Sequence, residues 1–236
     1  MFYLYGELTN HRRDERTVSY VECHDQSIVG GKTAMFTLAD SAMYSDMNTG
    51  SCNMHIDRAV ALHKITRLAT AATGDCGYLN FMGNEFGHPE WVDFPRQGNN
   101  WSYDRARRMW SLADDGDLRY GRLAAFDRAM LALLKEEHVY RFRVQTVRID
   151  DKKKVLVFER GGLWFCFNFH PVNSCVDYGF EALPGEYVPV LDSDDPDFDG
   201  FARRTPGQVY RTVLGVSGAR LSLYLPCRTA LVLKRS

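Results

Sequence analysis

Two polar words in this chain hold the residue types that chemistry needs. One is His24-Asp25, inside Glu22-Cys23-His24-Asp25-Gln26; the other is Asn84-Glu85. A carboxylate and an imidazole side by side exchange hydrogen bonds with hydroxyl groups. The aromatic residues Phe86, Trp91, Phe94, Trp101 and Tyr103 follow the second word, and aromatic faces cover the apolar face of a sugar ring. The combination suits carbohydrate chemistry. A His-Asp pair at a strand end serves structure as readily, and loop aromatics also simply pack.

Other arrangements fail on spacing. Gly30-Gly31-Lys32-Thr33 resembles the tail of a phosphate-binding loop, but the glycine required five positions before Gly31 is Gln26. An ordinary glycine-rich loop is the better reading. From Asp195 the run Asp195-Pro196-Asp197-Phe198-Asp199-Gly200 meets the start of a calcium loop. Its twelfth position should be glutamate and is Pro206. A solvated acidic turn is expected there instead. His55 and His63 are eight residues apart with no zinc pattern between them, so no metal site is expected.

The elements that must position the polar words can be read from periodicity. Thr17–Val21 reads as a short buried strand opening into Glu22–Gln26. A helix over Met54–Thr73 follows, with Leu62, Ile65, Ala69 and Ala72 on one face and Lys64, Arg67 and Thr70 facing elsewhere. Gly74 and Gly77 end it. Tyr78–Met82 reads as a second strand, opening into Gly83–Trp91, and a second helix covers Gly121–Glu137. Strand, loop, helix, repeated, is the signature of a parallel sheet. Two parallel strands cannot bury both faces of a sheet, so this portion reads as a piece of something larger.

The last ninety or so residues change period. Val155–Arg160 and Leu163–Phe169 flank Gly161-Gly162, a hairpin signal. Glu186–Leu191 is a strand, placed at an edge by Pro189. Leu221–Leu225 and Thr229–Leu233 read as a final pair around Pro226-Cys227-Arg228. This part is expected to be an antiparallel β-sandwich, with the boundary near residues 138–150.

Composition excludes several classes. The 236 residues carry 29 basic and 30 acidic side chains, so no electrostatic footprint for nucleic acid or an anionic membrane exists. No apolar run approaches the ~20 residues of a membrane span, and Met1–Glu7 does not read as a signal peptide. The six scattered cysteines read as free thiols in a reducing compartment, making a soluble cytosolic protein the default.

The words themselves go further. Val21–Gln26 with Gly30–Thr33, Asp57–Lys64, Gly77–Trp91, Asp93–Arg96 and Asn99–Asp104 resemble the eukaryotic-type 1,4-α-glucan (glycogen or starch) branching enzymes of the α-amylase superfamily. Val157–Gly161, Phe167–His170, Leu191–Asp194 and Pro226–Ala230 continue the resemblance, which runs from about Leu8 to Leu233. Departures are mild. Relatives usually carry a serine or similar small residue where Cys23 stands, and Cys76 replaces what is more often glutamate or glycine. The Gln97–Asn99 region is short.

The resemblance implies an α/β plus all-β fold. Residues 1–143 would be the C-terminal portion of a TIM (β/α)8 barrel, strands seven and eight with their helices; residues 144–236 would be the antiparallel β-sandwich. It implies that Asp25 stabilises the transition state and that His24 bonds a sugar hydroxyl, with Gln26, Asn84, Glu85 and Trp91 bordering the substrate. The partner would be an α-glucan, without metal or cofactor, in the cytoplasm or in a plastid for a plant or algal source. Retaining chemistry also needs a nucleophilic and an acid/base carboxylate roughly 5–5.5 Å apart. The family carries these on barrel strands four and five, which nothing in this chain matches. The chain alone is therefore expected to be inactive and marginally stable, with an exposed strand edge, and a separate N-terminal barrel half is a possible partner. A hydrolytic superfamily member and a non-catalytic glucan-binding module are the rival readings.

Overall fold

The structure is a computed structural model that describes residues 1–12, 14–26, 31–90, 92–216 and 218–236, the side chain of Thr146 aside. Its middle layer is a six-stranded sheet in which β4 (Val155–Arg160) and β5 (Leu163–Asn168) form the expected hairpin. Strand order is β3 (Gln145–Asp150), β4, β5, β11 (Thr229–Arg235), β7 (Glu186–Asp192) and β8 (Tyr210–Arg211). Every β5 residue is buried because the sheet is covered on both faces. Period-two alternation divides its neighbours: Val155 and Val157 point one way, Leu156 and Phe158 the other.

One face meets a three-stranded sheet, β6 (Cys175–Glu181), β10 (Gly218–Leu225) and β9 (Val213–Gly215), in that order with β10 central. Trp164, Cys166, Leu231 and Leu233 pack there against Tyr178, Phe180, Leu221 and Leu223. This is the expected sandwich. The opposite face meets α3 (Met54–Thr73) and α5 (Tyr120–Glu136), with Phe158, Phe165 and Phe167 against Ile65, Leu68, Phe126 and Met130. Also on that side is α1 (Phe2–Thr9), whose Tyr5 and Leu8 touch the same core.

Two strand expectations change. The final pair is not a hairpin: β10 lies in the small sheet and β11 in the large one, so Pro226–Arg228 is an arch between layers. Arg228 adopts φ +55 in that turn, and proline supplies no donor for a continuing ladder. Nor is β7 at the sheet's edge, because β8 follows it. Pro189 is tolerated because β8 pairs only Glu186 and Tyr187, while Pro189 faces Leu233 where the register shifts.

The front of the molecule holds the expected parallel pair, much shortened. β1 (Val18–Ser19) pairs in parallel with β2 (Gly77–Tyr78), and Cys76 N–H to Thr17 O and Leu79 N–H to Ser19 O extend the ladder at either end. Asn53 caps α3 through its side chain. Lys64, Arg67 and Thr70, which lie off the apolar stripe of α3, are nevertheless all buried. Arg67 donates to Asp127 on α5 and to Asn80, while Lys64 reaches the carbonyls of Ser193 (2.6 Å) and Phe198 (2.5 Å). A methionine-rich core of Met35, Met43, Met47, Ile56 and Phe86 joins α2 (Ala34–Ala39), α3 and the start of α5. The short helix α4 (Ser111–Asp114) lies just before α5.

The acidic segment Asp192–Gly200 is solvated only in part: Asp195 and Asp197 are exposed, the other aspartates are not. Asp194 is buried against Arg203, Asp192 pairs with Arg204 and Asp199 with Arg119. Four of the five aspartates expected in water thus face arginines or cap backbone; Asp195 accepts from Asp197 N–H. Arg160, at the end of β4, donates to the carbonyls of Ala72 and Gly74 and so fastens the C-terminus of α3 to the sheet. All six cysteines are free thiols. Among the described residues, no helix is long and apolar enough to cross a membrane.

Candidate functional site

The site begins where β1 ends. Five and six residues on, the side chains of His24 and Asp25 are each 63% exposed, with His24 Nε2 3.2 Å from Asp25 Oδ1. Backbone and neighbour contacts define their setting. Asp25 N–H donates to Cys23 Sγ at 3.4 Å, and the Cys23 thiol lies 3.7 Å from Asp25 Oδ2. Gln26 turns its Oε1 back to accept from Cys23 N–H at 2.9 Å. The His24 ring meets Phe81 edge to face with centroids 6.3 Å apart, and the Arg108 guanidinium lies 5.4 Å from the Phe81 centroid.

The turn after β2 supplies the other wall. Gly83 (φ +89) and Gly87 (φ +71) both take left-handed backbone, and a Cβ on Gly83 would meet Arg108 at 2.9 Å. Asn84 is 2% exposed; its Nδ2 donates to Glu22 O at 3.1 Å and its carbonyl accepts from His63 Nε2 at 3.0 Å. Glu85 uses Oε2 to accept from Gly83 N–H at 2.8 Å. Trp91 lies outside the described residues. The structure therefore brings His24, Asp25 and Gln26 together on one loop and places Asn84 directly behind it. Of the aromatics, Phe86 is buried against Trp110, His88 and Tyr120, whereas Phe94, Trp101 and Tyr103 are exposed.

Electrostatics separate the visible groups from the supporting ones. Burial pushes the Glu22 carboxyl up, against the pull of Ala34 N–H and the Arg67 and Arg108 guanidinium groups. Burial pulls His63 down to about 3, with the Arg67 charge adding to it, and His88 down to about 4, with Arg108 adding. Both imidazoles are neutral at ordinary pH. His63 carries its proton on Nε2, since a carbonyl is its partner, and its Nδ1 has no hydrogen-bond partner. An exposed carboxylate paired with an imidazole can accept and donate to ligand hydroxyls. Among the described residues only Cys23, His24 and Asp25 cluster as possible metal ligands, two of them in solvent.

Comparison with known proteins points the same way as the resemblance read from the sequence. Residues 147–236 match the alpha amylase C-terminal all-beta domain. A 1,4-alpha-glucan-branching enzyme of Solanum tuberosum is 53% identical over 201 residues, 84% of this chain and 23% of its own. Those of Arabidopsis thaliana (2-2, chloroplastic/amyloplastic) and Yarrowia lipolytica are 47% and 46% identical over 242 and 240 residues, covering 95% and 97% of this chain. The chain is similar to the C-terminal portion of these branching enzymes.

It spans 23% to 34% of the length of these branching-enzyme relatives. The crystal structure of an alpha-amylase from Geobacillus thermoleovorans, complexed with acarbose, is alike in fold. It has a TM-score of 0.50 at 12% identity, covering 98% of this chain and 42% of that one. Beyond the site residues read from the sequence, the structure adds Glu22, His63 and Arg108. Arg108 donates to Met82 O, Glu90 O and His88, closing the turn after β2. Glu22 and His63 stand inside words of the resemblance with no role assigned to them; what His63 and Arg108 do becomes visible through contacts across more than 17 positions.

Proposed function

We propose that this chain is the working C-terminal portion of a 1,4-α-glucan branching enzyme, which cuts an α-1,4 link and transfers the released chain to a 6-hydroxyl. In this reading residues 1–143 are the strand-seven and strand-eight sector of a (β/α)8 barrel, and residues 144–236 are its sandwich domain. The observation that carries it is the exposed His24–Asp25 pair beyond the C-terminal end of a parallel strand, where barrel enzymes keep their catalytic groups.

Asp25 holds the negative charge that an oxocarbenium-like transition state attracts, and His24 donates to a ring hydroxyl. Gln26 supports the loop by its bond to Cys23 N–H. Glu85 and Trp91 border the glucan on the neighbouring turn. The nucleophile and the acid/base carboxylate come from elsewhere in the longer polypeptide, and its barrel half covers the exposed Val18 and Tyr20 beside β1. The substrate is a linear or sparsely branched α-glucan, in the cytoplasm or in a plastid.

The test uses the full-length polypeptide carrying these residues. Asp25→Asn removes the charge with little change in shape, and branch formation, counted as new α-1,6 links, should fall by about 10²–10³-fold. Branching at more than a tenth of the unaltered rate would sink the assignment of Asp25. Hydrolysis without transfer by the unaltered protein would move it to the hydrolases.

A further inference from the structure

The loop that carries His24 and Asp25 is pinned at its start by one residue, Glu22, in two directions. Its carbonyl accepts from Asn84 Nδ2 at 3.1 Å, across from the turn after β2. Its carboxylate, on a residue 4% exposed, accepts from Ala34 N–H at 2.7 Å, at the first residue of α2. One residue thus fixes the loop to the neighbouring strand and to the helix that follows it. Behind Asn84 stands His63 on α3, 3% exposed, donating Nε2–H to the Asn84 carbonyl at 3.0 Å. Asn84 also receives Gly87 N–H and gives its own N–H to Phe81 O, so its side chain has a fixed origin. Phe81 in turn touches His24.

We propose that Asn84 is a positioning residue for the reaction: with Glu22 and His63 it forms a strut from α3 that sets where His24 and Asp25 stand against the substrate. This rests on the reading of Asp25 given above. Buried behind the loop, the Asn84 amide acts on catalysis by donating to one carbonyl two residues before His24.

The chemistry of the strut explains its residue types. A carbonyl accepts but cannot donate, so the group facing Glu22 O must carry an N–H or O–H. Asn84 supplies one at fixed reach; an aspartate of the same size would set a carboxylate oxygen against a carbonyl oxygen. The neutral His63 holds the Asn84 carbonyl without adding a charge beside the Arg67 and Arg108 guanidinium groups, which already face Glu22. Misplacing a reacting group by about 1 Å can cost 10²-fold in rate, so loosening the strut should fall on turnover more than on binding.

The experiment is steady-state branching kinetics in the full-length polypeptide, with thermal unfolding followed in parallel. Asn84→Asp should lower kcat by roughly 30–100-fold with KM within about threefold. Glu22→Ala, which removes the bond to Ala34 and keeps the carbonyl, should lower kcat by about tenfold. Glu22→Gln, whose amide oxygen still accepts from Ala34 N–H, should restore it to within about threefold of the original. A purely structural role would move the unfolding temperature of all three and leave kcat of the folded fraction alone. If Asn84→Asp keeps kcat within twofold while Asp25→Asn abolishes branching, the strut is overturned and the assignment of Asp25 stands. If Asp25→Asn itself stays active, the site reading fails first. Should Asn84→Asp not fold, the Glu22 pair decides: equal kcat for Glu22→Ala and Glu22→Gln overturns the proposal.

Discussion

The two ends of this molecule are held together by different physics. The large sheet of the sandwich is fastened by apolar area on both faces: Phe158, Phe165 and Phe167 are fully buried against the helices, Trp164 and Cys166 against the small sheet, and β5 is buried along its whole length. The front is fastened by polar groups brought out of water. Arg67 with Asp127, Glu22 with Ala34 N–H, His63 with Asn84, and Arg108 with two carbonyls are all at least nine-tenths buried on the side chain that donates or accepts. Apolar burial is tolerant of small shifts, whereas hydrogen bonds are directional and leave costly orphans when one partner goes. Tolerance suits a scaffold and directionality suits a site. The same contrast appears in exposure: Val18, Tyr20, Leu79 and Met82 of the front remain exposed around the short parallel pair.

Several measurements would break or sharpen that contrast, each in the full-length polypeptide by local hydrogen exchange. The largest effect is expected at Phe165→Ala, which should cost the β4 and β5 amides about 3–5 kcal/mol of protection through lost burial and a cavity. A loss under about 1 kcal/mol would mean the apolar core is not what holds the sandwich. In the front, Arg67→Met leaves Asp127 buried without its counter-ion, with Asn80 Nδ2 still donating to it, at a cost of about 3–5 kcal/mol. Adding Asp127→Leu should recover most of it. If the double variant stays as weak as the single one, the pair was not the source.

Acid should separate the two regions next. His63 and His88 are held below their unfolded values, at about 3 and about 4. Their neutral forms are bound by the folded state while the unfolded state takes up protons, so stability is full above the ordinary histidine range and falls as pH drops from about 6.5 toward those values. Each contributes a slope of up to ~1.4 kcal/mol per pH unit in that window. Protection in α3 and the turn after β2 should decline before that of β4 and β5, and His63→Gln should flatten the front's decline. A front that is flat between pH 6.5 and 5 would contradict this. The smallest effect belongs to the exposed pair Arg211–Glu186 on the sandwich surface, where Arg211→Ala should change stability by less than about 1 kcal/mol.

Where local pattern decides structure, the sequence was a good guide. Helix α3 runs over the expected Met54–Thr73, and Gly161-Gly162 forms the expected hairpin turn. Pattern fails where partners are distant. Lys64 and Arg67 read only as facing away from the apolar stripe of α3, because their partners at Ser193 and Asp127 lie 129 and 60 positions away. The aspartates of 192–199 read as solvated for the same reason, and their arginines come from Arg119, Arg203 and Arg204. Leu221–Leu225 and Thr229–Leu233 have the spacing of a hairpin, and only the layer each joins shows the arch. His24 and Asp25 were legible because two adjacent polar residues interrupt a strand-like run; that Asn84 faces inward rather than outward is set by the glycines around it, which allow either turn.

The place of β11 between β5 and β7 bears on how the protein is made. Strands β3 to β5 on one side, and β7 with β8 on the other, have no direct ladder between them until β11 is inserted. On the ribosome the large sheet would wait as two separate halves, with one edge of β5 unpaired, until synthesis has passed Arg235. A chain cut before Thr229 would have a middle layer that can never close, so Thr229–Arg235 matters to this domain far more than its short length suggests.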